Sequence, residues 1–163
     1  QLLQELPSAF REWIRALDRH VASATGGIVP WANVSKSGAV ITDVGGLTQS
    51  SGTYSPTLAN TTNLDASTVY QCQYMRLGTV VHVSGRVDVD PTAAASTVLG
   101  ISLPIASNIG AVEDLAGVAF CPTVAGQGAS LLGDVANDRA TMQWIAVNTT
   151  NQPMYFTFMY EII

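Results

Sequence analysis

The side chains able to do acid–base chemistry are few, and their spacing does not gather them. Carboxylates pair in the chain at Asp88/Asp90 and at Glu113-Asp114, and two carboxylates flanking a sugar are what glycoside cleavage requires. Asp88 and Asp90, however, share one parity at the end of an alternating run, the usual place of solvated strand-end residues. His20 and His82 lie far apart, and no G-x-S-x-G elbow sets a nucleophilic serine beside either. Asp134, Asn137 and Asp138 could offer calcium three oxygen ligands from one loop; the simpler reading is turn residues whose side chains bond their own backbone. Gly126-Gln127-Gly128 lacks the lysine that comes next in a phosphate cradle. Cys72 and Cys121 sit inside apolar strand patterns, where a thiol acts as a small buried hydrophobe before it acts as a disulfide or metal partner. The expectation is a chain with no catalytic residues, no cofactor and no metal.

Composition points the same way. Of 163 residues, 47% are hydrophobic and only 12% charged, against about 25% charged in an ordinary domain. Few charges with abundant Ser, Thr, Asn and Gly suit a β protein that hides surface in an oligomer. The net charge of −5 offers no phosphate-tracking surface, so nucleic acid is not an expected partner. No run of about 18 apolar residues occurs, so no membrane span is expected. The chain begins at Gln1 rather than Met, which reads as a fragment or a processed product.

The organising element is Thr68–Asp90. Val81, Val83, Val87 and Val89 fall on one parity, with His82, Ser84, Arg86, Asp88 and Asp90 on the other, the signature of a half-buried strand. A turn at Leu77-Gly78 folds the first half back on it. That register sets Tyr74 against Val81, Cys72 against Val83, Tyr70 against Gly85 and Thr68 against Val87, with Gln73 against His82 and Gln71 against Ser84.

Before it, residues 1–23 read as a helix. Leu3, Leu6, Phe10, Trp13 and Leu17 recur in steps of three and four, a heptad seam. Such a seam packs either on its own domain or on copies of itself, and Gly26-Gly27 favours the second by detaching the helix from the rest of the chain. Residues 24–52 read as an extended connector, too apolar at Val29, Trp31 and Val40 for a solvated linker. From residue 53 every signal is β. A strand at Tyr54–Leu58 is broken by Pro56 and followed by a polar loop over Asn60–Ser67. After the hairpin come strands at Thr97–Leu103, Leu115–Val124, Ala129–Val135, Arg139–Val147 and Met154–Ile163, with an irregular loop over Ile105–Asp114. In the last strand Met154, Phe156, Phe158 and Tyr160 form one face. The other, with Tyr155, Thr157 and Met159, is only partly polar, so it needs a second cover, which a trimer packed about this strand or a dimer would supply. The expected fold is all-β: an eight-stranded jelly-roll sandwich, a homotrimer clamped by the helix seam and by Tyr155, Thr157 and Met159 of the last strand.

The run from Gly52-Thr53-Tyr54 through Pro56-Thr57-Leu58, Tyr74-Met75-Arg76, Val83-Ser84-Gly85 and Pro91-Thr92 to Leu103-Pro104 resembles a domain at the ends of tailed-phage virion proteins. The connector is similar to phage fibre shaft segments, departing from them at Ala39-Val40. The resemblance implies a trimeric knob like that of tumour necrosis factor, non-enzymatic, on the surface of a virion. Its implied partners are two further copies, other virion proteins through the N-terminal region, and a host surface glycan. Loops at Asn60–Ser67, Ile105–Asp114 and Asn148–Gln152 are its expected contacts. The alternative it leaves open is a capsid decoration or cement protein with no receptor.

Overall fold

A computed structural model of the chain describes residues 48–163 together with Glu12. The expected helix, its seam at Leu3, Leu6, Phe10, Trp13 and Leu17, and the connector up to residue 47 lie outside the described residues. The described part is all-β, in ten strands rather than eight: β1 (Gln49–Tyr54), β2 (Leu58–Thr62), β3 (Leu64–Val69), β4 (Cys72–Leu77), β5 (Val80–Pro91), β6 (Ser96–Ser102), β7 (Leu115–Phe120), β8 (Gly128–Asp134), β9 (Arg139–Ile145) and β10 (Gln152–Glu161). A 3-10 turn over Val112–Asp114 leads into β7.

All pairings are antiparallel, in the order β1-β4-β5-β10-β7-β8-β9-β6-β2, with β3 also on β5. Strands β7, β8 and β9 form a meander and β10 returns beside β7, the Greek-key order. The pairs nest: β5 with β10, β6 with β9, β7 with β8.

The sheet curls because one face of nearly every strand is apolar and can be buried only by turning inward. The valines of β5 that share a parity, Val81, Val83, Val87 and Val89, are fully buried. So are, or nearly so, Met154, Phe156, Phe158 and Tyr160 of β10, in one cluster with Leu99, Ile101, Leu131 and Met142. Each such side chain contributes roughly 1.5–3 kcal/mol by burial. Cys72 and Cys121 are buried and unpaired, and burial pushes the Cys72 thiol's pKa up.

Three expectations need correction. Asn60–Ser67 is not a loop: β2 and β3 run through it and meet at Asn63, whose φ of 57° turns the chain in one residue. The reason is long-range: Asn63 Nδ2 donates to Ala93 O (2.8 Å) and Thr97 Oγ1 (2.7 Å), and Oδ1 accepts from Thr92 Oγ1 (2.6 Å). Second, Pro56 lies between two strands, β1 and β2, rather than inside one. Third, the hairpin turn is Gly78-Thr79, with Gly78 at φ 63°. That moves the β4–β5 register by two residues, pairing Tyr74 with Val83 and Gln73 with Ser84. A shift of two preserves parity, so Cys72 keeps its inward side and Gln73 its outward one, with new partners. In β3 the shift is one, pairing Thr68 with Asp88, and the expected inward residues Thr68 and Tyr70 are exposed instead.

Candidate functional site

The parity rule that buries Phe156 and Phe158 turns Tyr155, Thr157 and Met159 outward. Register then gives each a different set of neighbours. Met159 lies beside His82 of β5 and Ala116 of β7, and His82 lies beside Met75 of β4. Thr157 lies between Ser84 and Val118, with Gln73 beyond Ser84. Tyr155 lies between Arg86 and Phe120. The outer face of β4, β5, β10 and β7 therefore reads as three rows.

The row through Met159 is greasy. With Leu77 and Val80 next to it, it leaves Met75 (58%), Leu77 (50%), Val80 (47%) and Met159 (55%) exposed. The middle row is pinned: Thr157 Oγ1 donates to Val83 O (3.0 Å) and lies 2.8 Å from His82 Nε2.

The third row is a stack. Between β3 and β4 the pairing slips by one, so that Tyr70 and Gln71 together oppose Arg86. A bulge of this kind re-aims side chains, and here it brings the Tyr70 ring over the guanidinium, 4.4 Å from Arg86 Cζ. The Tyr155 ring stands 5.7 Å away on the same cation, and Phe120 stacks on Tyr155 at 5.8 Å with 22° between planes. Asp88 fixes the cation through Arg86 Nε and Nη2, both at 2.9 Å, and accepts from Tyr70 Oη at 3.0 Å. These bonds to Asp88 raise the pKa of both Arg86 and Tyr70. The cation and the rings hold one another in place along the row, which is therefore a preformed shelf.

Between the second and third rows lies an open groove of ≈ 530 Å³, lined by Gln71, Gln73, Ser84, Arg86, Val118, Phe120, Tyr155 and Thr157 among others. That volume falls within the range of about 300–1,000 Å³ typical of small-molecule sites. Gln71, Gln73 and Ser84 direct no side-chain hydrogen bond to any described residue.

The carboxylates singled out from the sequence do not converge. Asp88 is held by Arg86 and Tyr70. Asp114 Oδ2 accepts from the backbone of Gly110 (2.9 Å) and Ala111 (2.7 Å), and Asp138 Oδ1 from Ile109 N (2.9 Å). Asp134 is drawn upward by burial, but bonds from Arg139 and Asn137 outweigh this and hold its pKa below the usual carboxylate value. Among the described residues no three such groups cluster as metal ligands. Gln127 sits almost fully buried, its amide bonded to Gln152 and its Oε1 accepting from Val147 N at 3.2 Å, so that loop is a brace between strands.

Of the positions expected to touch neighbouring copies, Tyr155, Thr157 and Met159 do share one outward face. Sequence reasoning missed Tyr70, Gln71, Gln73, Arg86 and Phe120 as their companions. Only the β5–β10–β7 register and the bulge bring these together, and no local pattern encodes either. Compared with known proteins, the chain matches no family model, no curated protein and no solved structure.

Proposed function

We propose that the chain is a non-enzymatic structural protein of a bacteriophage particle, a homotrimer displayed on the virion surface for attachment to the host. The fold within it is a jelly roll. The nested pairing of β5 with β10, β6 with β9 and β7 with β8 supports that topology, since it is what rolling one long hairpin produces. The phage assignment rests on the sequence resemblance. The non-enzymatic part is supported by the engagement of Asp88, Asp114, Asp134 and Asp138 in backbone or ion-pair bonds.

The observation that carries the assembly is the greasy row. Met75, Leu77, Val80 and Met159 are exposed apolar side chains gathered at one end of β4, β5 and β10, with His82 between Met75 and Met159, and exposed apolar groups gathered in this way mark association surfaces. Met159 is the centre of the contact between copies. Tyr155, already stacked on Arg86 and Phe120, stands at its margin. Sedimentation equilibrium of the full chain tests this: three chain masses are expected for the wild type and one for Met75→Glu/Met159→Glu. A wild-type monomer at micromolar concentration removes the assembly reading, and a trimeric double variant moves the contact elsewhere.

A further inference from the structure

The groove beside the stack has a chemistry of its own, and we propose that it binds the ring of a neutral pyranose sugar. This rests on the proposed attachment role and goes further by naming the site and the ligand class.

Two surfaces of opposite character meet there. One is apolar: Phe120 and Tyr155, whose rings stack on each other at 5.8 Å, with Val118 beside them. The other is a row of groups that both donate and accept, the amides of Gln71 and Gln73 and the hydroxyl of Ser84. A pyranose is built the same way, with axial C–H bonds making one face apolar and hydroxyls around the rim that donate and accept. Its C–H face lies against the apolar side of the groove while its hydroxyls meet the amides.

Charge decides between neutral and acidic ligands. Among the described residues Arg86 is the only charged one lining the groove. Its guanidinium is neutralised by Asp88 through two bonds of 2.9 Å and covered on one side by Tyr70 at 4.4 Å. An anion would have to compete with a carboxylate already in place, on a chain of net charge −5. A neutral ring has no such competitor, and the Arg86–Asp88 pair serves to hold Tyr155 and Tyr70 in position. The shelf stands on paired strands and the amides beside a bulge, so little ordering is needed on binding.

A glycan array probed with the full-length wild type carries neutral hexose oligosaccharides alongside sialylated and sulfated ones, followed by calorimetric titration of the best neutral glycan. Neutral glycans are expected to bind, and Gln71→Ala/Gln73→Ala, which alters only exposed side chains, is expected to weaken binding about tenfold or more. Tyr155→Ala is expected to do at least as much. Circular dichroism confirms that each variant is folded. Binding to acidic glycans only, no binding to any neutral glycan, or binding unaffected by the glutamine pair each overturns the proposal. Sedimentation separates it from the assembly reading: a trimer that binds no glycan sinks the groove alone, and a glycan-binding monomer sinks the trimer alone.

Discussion

Gly85 interrupts the valine alternation of β5, and the reason is a close approach that can be measured. A Cβ added there would lie 2.8 Å from Cys72 Cβ and 3.0 Å from Phe156 Cζ, and would overlap Cys72 Sγ. Directly opposed residues ordinarily keep their Cβ atoms about 4.5–5.5 Å apart, so the space opposite Cys72 admits only glycine without a shift. Gly85→Ala therefore overpacks a site with no slack, at about 1–3 kcal/mol. Cys72→Gly removes a buried CH₂ and a thiol and loosens the strand, at about 1–3 kcal/mol from lost burial and added backbone freedom. Combining them returns one methyl group to the space the cysteine vacated. The double variant is expected to be more stable than the sum of the singles by about 1–2 kcal/mol, within the range of coupled neighbours. Urea unfolding followed by tryptophan fluorescence, at one fixed protein concentration because association adds to stability, gives the four values of the cycle. Were Gly85 instead opposite Tyr70, Cys72 would lie on a diagonal about 7–8 Å off, and the effects would add within about 0.5 kcal/mol. Additivity would refute the register on which the rows of the outer face depend.

Alkaline pH supplies a second test. Burial pushes the Tyr54 and Tyr160 phenols above their ordinary value of 10, Tyr160 to about 12. A group whose folded pKa is raised stabilises fully below its unfolded pKa, and that share is lost as pH rises through the folded one. Stability should hold below pH 10 and fall between about 10 and 12, with part of the phenolate absorbance appearing only as the β circular dichroism disappears. All five tyrosines titrating together in a folded protein would contradict it. The corner at Asn63 supplies a third. Asn63→Ala loses the bonds to Thr92, Ala93 and Thr97 and puts alanine at φ 57°, a cost of about 3 kcal/mol; Asn63→Gly should cost about 1 kcal/mol less because glycine tolerates that φ. Equal losses in urea unfolding would show that the backbone is not strained there.

The inward faces were legible because burial obeys a local rule. Alternation in β5 and β10 names the core residues whatever the strands pair with, so a register wrong by two still buried Val83 and Phe158 correctly. Strands without that contrast were not legible. Leu58–Thr62 and Leu64–Val69 are polar and short, and they are strands because β6 and β5 offer them partners. The site was the least legible part. Tyr155 was found because it stands on the second apolar face of the last strand, but Phe120 and Arg86 reach it only through pairings with β7 and β5.

A single strand can carry both proposed contacts because period two fixes only the side from which a residue looks out. Position along the strand fixes what it meets. Tyr155 and Met159 share a face, yet they stand four positions apart, roughly 13 Å of extended chain, and between them stands Thr157, whose hydroxyl is engaged with His82 and Val83. On β4, β5 and β10 that row is a polar boundary: a copy packed on Met159 gains nothing by advancing over Ser84 and Gln73, whose polar atoms it would have to desolvate without replacing their water. Thr157→Val removes the boundary while keeping the shape. Its side chain is half-buried, and the His82 imidazole it leaves has solvent to turn to, so the protein should stay folded. Association should tighten and glycan binding should weaken together, as the apolar contact spreads toward the groove. A Thr157→Val protein that binds sugar unchanged while associating more tightly would mean the two regions are separated by distance alone, and the hydroxyl row divides nothing.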